Sequence, residues 1–272
     1  MSVFTTPEPI TATLTTAGAR VRVSASERPD TVVLVEPIDG TSKSDVKVAE
    51  NTKVDLTGGV LTIETKKAGA KAGSVAITIQ VPTGSELVLN TAWSDVSADG
   101  RFGDCVLEMA SGRVQVDRVT AVRGNVTAGE VEVGHVTGTV DVESGAAIVR
   151  IGEAEGSVRC AGSTGKVWIG HARSAVDLSS ASGTFDIDHA DGDVVAKAAD
   201  CPIRIGRLSG REAYLVNASG GIEVGIGRDA ATVDAESTKG SVRNSFGTDG
   251  VGGARVFART RRDDIVIQRA TA

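Results

Sequence analysis

Residues 129–145 read GEVEVGHVTGTVDVESG, with valine at 131, 133, 136, 140 and 142 and a glycine every few positions. Apolar and polar residues alternate with a period of two, the mark of short strands with one face buried and the other wet. Four or five residues cannot bury such a face alone, so the stretch needs neighbours of its own kind. The rest of the chain supplies them. Val116, Val133, Ile151, Ile169, Ile187, Ile205, Val224 and Val242 each occupy the second place of an alternating pair and follow at 17, 18, 18, 18, 18, 19 and 18 residues. A second series, Val140, Val158, Val176 and Val194, interleaves with the first at 18-residue intervals.

A fixed phase of this kind is a stacking code. Successive units laid about 4.8 Å apart place aliphatic on aliphatic along a continuous interior ladder. Branched side chains suit it, being stiff and well fitted to a pleated surface. The expected fold is all-β: a β-solenoid, β-helix-like, with rungs of about 18 residues made of two or three short strands. A β-sandwich also has short strands and regular turns, but it requires no constant phase over seven units.

Residues 1–92 carry alternating segments of less regular spacing (ITATLTT, ARVRVSA, TVVLVEP, KVDLTGG, VLTIETK, VAITIQVP, ELVLN), joined in places by polar connections such as IDGTSKSDVKVAEN. They read as an irregular β cap on a regular solenoid over 93–272, the two continuous as one elongated domain. The segment ARVFARTRRDDIVIQRA, with its charges from Arg259 to Asp264, reads as a polar closing rung, and 247–254 as a loop. An exposed end rung needs such charge to resist further strand pairing.

Composition narrows the function classes. The 272 residues carry a net charge of -6 with 24% charged residues, an ordinary surface that gives no reason to expect nucleic-acid binding. No window approaches 18 uninterrupted apolar residues, and the opening MSVFTTPEPITATLTT has neither a basic nor an apolar leader segment, so no membrane insertion is expected. Cys105, Cys160 and Cys201 are odd in number and lack C-x-x-C spacing. They read as small buried residues in a reducing compartment, which makes the cytoplasm the expected location.

The ordered segments resemble one known group. ITATLTTAGARVRVSASERPDTVVLVEP, VAITIQVPTGSELVLNTAWSDVSADGRFGD, the iterated SGxVxV rungs and the closing SVRNSF…ARVFARTRRDDIVIQ are similar to the bacterial DUF4097 family of β-strand-repeat proteins and adhesins. The resemblance implies a β-solenoid, an adhesin-like role with surface association, and no catalytic residues. Many relatives are exported or membrane-anchored, and the opening of this sequence lacks the corresponding segment.

Three sets of residues invite a chemical reading. His135, His171 and His189 fall two residues after their ladder positions, in one column with Glu153 and Arg207. Adjacent rungs would bring His171 and His189 to about 5 Å, within reach of a shared Zn²⁺. The preferred reading is a solvated corner column that tolerates any polar residue, as Arg207 indicates. Asp186, Asp188, Asp191 and Asp193 could suggest calcium, but the glycine-rich calcium-roll pattern is missing and surface charge is preferred. Lys66, Lys67 and Lys71 read as a solvated basic turn.

A glycan-directed β-helix enzyme would need clustered carboxylates and free aromatics. Trp168 lies in an interior-type strand, which leaves Trp93 and Tyr214 for stacking, and no nucleophile triad or phosphate loop is present. The expectation is therefore a non-catalytic scaffold without cofactors that binds a protein partner or self-associates as a homo-oligomer or polymer. The glycan-directed enzyme and the metal-binding histidine column are the alternatives.

Overall fold

The computed structural model describes residues 1–65, 73–246 and 253–271. The basic turn with Lys66, Lys67 and Lys71, and residues 247–252 of the expected loop, lie outside the described residues. The fold is all-β and solenoid-like, and the chain forms two compact units, Met1–His135 and Val136–Ala272.

The second unit contains the regular rungs. Val140–Ala154, Val158–Ala172 and Val176–Ala190 are successive parallel strands, each bent midway so that it contributes two legs. The next rungs are split at the corner into Val194–Asp200 with Ile203–Leu208, and Glu212–Val216 with Ile222–Ile226. The interior ladder runs Ile151–Ile169–Ile187–Ile205–Val224, each the register partner of the next. All five are at most 1% exposed, so each branched side chain brings close to its full burial energy, about 1.5–3 kcal/mol. The companion ladder Val140–Val158–Val176–Val194 lines the other leg.

Corners need glycine where rungs approach most closely. At Gly183 (φ +129°) a Cβ would stand 1.7 Å from the Gly165 carbonyl oxygen, so no other residue fits. Cysteine serves the ladder as a small hydrophobe: Val142–Cys160–Leu178–Ala196 is one register line, and Cys105 lies between Leu87 and Val122. All three thiols are free and buried.

The last rungs depart from chain order. Ala254–Thr260 inserts between Glu212–Val216 and Ala231–Ser237, and Ile265–Arg269 between Ile222–Ile226 and Val242–Asn244. The charged C-terminal segment is therefore not the closing rung; the preceding segment, 231–244, is. Val242 likewise does not stack on Val224. It pairs with Ile265, in line with Ile222, and is 40% exposed, while Ile267 takes the place above Val224.

The first unit repeats the device in reverse. Thr11–Ala17 and Ala19–Ser26, joined at Gly18, lie between Val60–Glu64 with Val75–Pro82 on one side and Glu86–Ala92 with Ser94–Arg101 on the other. Cys105–Met109 and Gly112–Val119 continue those two columns. Beyond the outer rung the pairing turns antiparallel: Lys53–Thr57 on Val60–Glu64, Asp30–Pro37 on Val75–Pro82, and Ser2–Thr5 on Asp30–Pro37.

The polar connection 38–51 is not all loop. It holds the one helix among the described residues, Lys43–Asn51, started by Ser42, whose hydroxyl accepts from the Asp45 N–H. Asp45 in turn accepts from the backbone N–H groups of Ser74 and Asp39, tying the helix start to the strand it covers. The Ser74 N–H holds the Asp45 carboxyl below its ordinary pKa.

Candidate functional site

Each regular rung of the second unit ends its second leg with the same local device. After the buried Ile comes a pair of residues that both face outward, followed by a buried Ala or Leu: Ile151-Gly-Glu-Ala154, Ile169-Gly-His-Ala172, Ile187-Asp-His-Ala190, Ile205-Gly-Arg-Leu208. The extra outward residue breaks the alternation and throws positions 153, 171, 189 and 207 onto one corner. Their register is Glu153–His171–His189–Arg207, the column expected from spacing. His135, the last residue of the first unit, is half-buried in the strand Val122–Val136.

The His171 and His189 rings stack at 4.5 Å between centroids, 11° from parallel. Both Nε2 atoms turn toward one carboxylate, Asp191, at 2.7 Å from Oδ2 for His171 and 3.1 Å from Oδ1 for His189. Glu153 stands behind the pair, with Oε1 3.9 Å from His171 Nδ1, and accepts from Arg173 Nε at 2.6 Å. That bond raises the Arg173 pKa above its ordinary value. The contacts follow a diagonal: Glu153 to Arg173, His171 to Asp191 and His189 to Ser209 are each 20 residues apart. Side chains lean along the strand, so each reaches the next rung two positions farther on.

Asp191 was expected with the aspartate run, not with the histidines. Its signal in the sequence is the spacing His189-Ala-Asp191, which puts two donors on one side of a small buried residue. The remaining aspartates do not converge. Asp186 and Asp188 accept from Arg204 at 2.6 and 3.2 Å, Asp188 also accepts from Trp168 Nε1 at 3.2 Å, and Asp193 accepts from the backbone N–H groups of Arg211 and Glu212. Asp186 is the main cause of an Arg204 pKa above the ordinary value.

Trp168 is on the outside, contrary to the reading of its strand as interior. Val167 and Ile169 take the inward positions, so parity turns the indole to the wet face, 36% exposed. Two further outward aromatics form a shelf: Tyr214 and Phe257 are register partners stacked at 4.8 Å and 4°. Lys197 lies 5.5 Å from the Tyr214 centroid and Arg259 lies 4.1 Å from that of Phe257. In the first unit Trp93 takes the corner between two strands at φ +50°, its side chain 76% exposed.

Burial holds the thiols out of the chemistry, pushing Cys105 and Cys160 up to about 12 and Cys201 up to about 11, so all three stay protonated near neutrality.

In-register aliphatic ladders joined at glycine corners are the solenoid that the opening resemblance implied, and the Toastrack DUF4097 family model matches residues 12–268. The chain belongs to that family. Solved structures resemble this DUF4097 chain at low identity. A "putative adhesin" from Parabacteroides merdae is 12% identical, with 98% of this chain and 94% of that one covered and a TM-score of 0.45. A "putative adhesin" from Parabacteroides distasonis is 13% identical, covering 98% and 95% at a TM-score of 0.42. Another, from Bacteroides fragilis, is 13% identical, covering 98% and 95% at 0.33. No curated protein matches the DUF4097 chain.

Proposed function

We propose that this DUF4097 protein is a non-catalytic scaffold that binds a protein partner on the outer face of its second unit. The observation that carries the reading is the aromatic shelf of Tyr214 and Phe257, set among Lys197, Arg259, Glu212 and Arg255 on a run of parallel strands. Flat stacked aromatics edged by paired charges are the composition of protein-binding hot spots. Self-association end to end is disfavoured on charge: the outermost strand Ala231–Ser237 carries Asp234 and Glu236, both paired to Arg259 of the rung beneath. An adhesin is one form such a scaffold takes.

A cytoplasmic location accompanies this reading, and the three free buried thiols support it. Among the described residues no helix is long and apolar enough to cross a membrane.

Affinity capture from the native host, with wild type beside a Tyr214→Ala/Phe257→Ala variant of unchanged circular dichroism, tests it. A host protein retained by wild type and weakened at least tenfold by the variant is the expected result, about 1.4 kcal/mol of binding. Retention unaffected by the variant, or turnover of a polysaccharide by the folded protein, would contradict the scaffold reading.

A further inference from the structure

We propose that His171, His189 and Asp191 form a surface site for one divalent transition-metal ion of the zinc, nickel and copper class. The site is independent of the aromatic shelf and stands or falls without it.

Among the described residues these three are the group whose ligand atoms gather, all within 4.8 Å of one another. In the structure the carboxylate bridges the two Nε2 atoms at hydrogen-bond distance, one oxygen to each ring, so the three side chains gather on one patch of the corner. Zn²⁺ binds imidazole nitrogen and carboxylate oxygen at roughly 2.0–2.2 Å, which sets tetrahedral donors roughly 3.3 Å apart. The carboxylate contacts of 2.7 and 3.1 Å are slightly short of that. The two rings, stacked 11° from parallel, must also open toward each other by rotation about their own side-chain bonds to bring both nitrogens onto one ion.

The surroundings suit a single ion. Glu153 faces the other ring nitrogen of His171 from 3.9 Å. A carboxylate on that side places negative charge beside the ring, which favours a bound cation. Its own oxygen is already held by Arg173, so Glu153 is a neighbouring charge and not a fourth ligand. Arg207, the register neighbour of His189, closes the column on the far side with a cation. Two nitrogens and one carboxylate select the borderline metals over Ca²⁺ and Mg²⁺, which take mainly oxygen donors. The side chains of the three donors are 31%, 34% and 41% exposed. The remaining coordination positions therefore face solvent, open to water or to a donor from another molecule.

Untagged full-length protein, stripped with chelator and titrated with ZnCl₂ or NiCl₂, provides the test. Calorimetry is expected to show one equivalent bound in the micromolar range or tighter, with no uptake of CaCl₂ or MgCl₂. His171→Ala/His189→Ala and Asp191→Ala should each weaken binding at least tenfold, and His135→Ala should leave it unchanged. If the double alanine variant unfolds, His171→Gln/His189→Gln keeps the bulk of the stack and serves instead. The chain has three histidines, which permits a readout independent of affinity. Two sets of imidazole NMR signals should move with Zn²⁺, while that of His135 stays. Absence of stoichiometric uptake, uptake undiminished in the variants, or equal movement of all three histidines would overturn the site.

Discussion

A chain ending at Gly253 is expected to lose the cooperative fold of its second unit, although fewer than twenty residues are removed. Ala254–Thr260 and Ile265–Arg269 are paired on both sides, so their loss strips four parallel ladders at once. It also removes Ala254, Val256, Ala258, Ile265 and Ile267, all 0–2% exposed, and uncovers Leu215 and Val224 beneath them. The three larger side chains alone represent roughly 5–9 kcal/mol of burial, comparable to the whole stability of a domain. The outer rung cannot slide in as a replacement, because its register would set Asn244 in place of Ile267 over Val224. Hydrogen exchange should show protection lost across Glu212–Ile226 and Ala231–Ser237. A truncated protein that keeps protection there and melts within a few degrees of wild type would contradict the inserted-rung topology.

The second large effect is alkaline. The thiols of Cys160 and Cys201 have an ordinary pKa of 9.0 and are pushed up in the folded chain to about 12 and about 11, chiefly by burial. Above the ordinary value the unfolded chain releases these protons while the folded chain retains them. Stability conferred by the raised values is therefore complete below about pH 9 and falls as pH climbs toward the folded values. The limiting slope is about 1.4 kcal/mol per pH unit for each thiol, reached only between the unfolded and folded values, so the second unit should lose about 4 kcal/mol between about pH 9 and pH 11. Urea midpoints across that range measure it. Cys160→Ala should flatten the thiol-dependent fall by about half, since it removes one of the two buried thiols. An alkaline limb of unchanged slope in the variant would show that the buried thiol does not govern it.

What was legible in the sequence was the repeat, and through it the core. A phase of 18 residues identifies equivalent positions, and equivalence is what stacking uses, so Ile151, Ile169, Ile187 and Ile205 were readable as one ladder. The same phase says nothing about which rungs are neighbours where the chain doubles back. Val242 keeps the spacing from Val224 yet lies beyond an intervening rung, because 254–269 returns to fill the gap. Trp168 was read from its strand as a whole, while its facing is set by parity with Val167 and Ile169. The helix Lys43–Asn51 is short and lies among strands, and its plainest mark is the cap at Ser42.

The candidate site divides in the same way. Column membership of Glu153, His171, His189 and Arg207 follows from spacing. The role of Asp191 depends on a diagonal reach between rungs, a property of side-chain lean and not of period.

The account rests on successive turns of chain laying equivalent side chains on one another. Methyl–methyl NOEs on protein labelled at isoleucine δ1 carbons test this directly, because Ile151, Ile169, Ile187 and Ile205 are register partners in that order. Cross-peaks linking each of the four to its neighbour 18 residues away, and weak or absent between those 36 apart, are the predicted result. A spectrum with no Ile151–Ile169 or Ile169–Ile187 contact would contradict it.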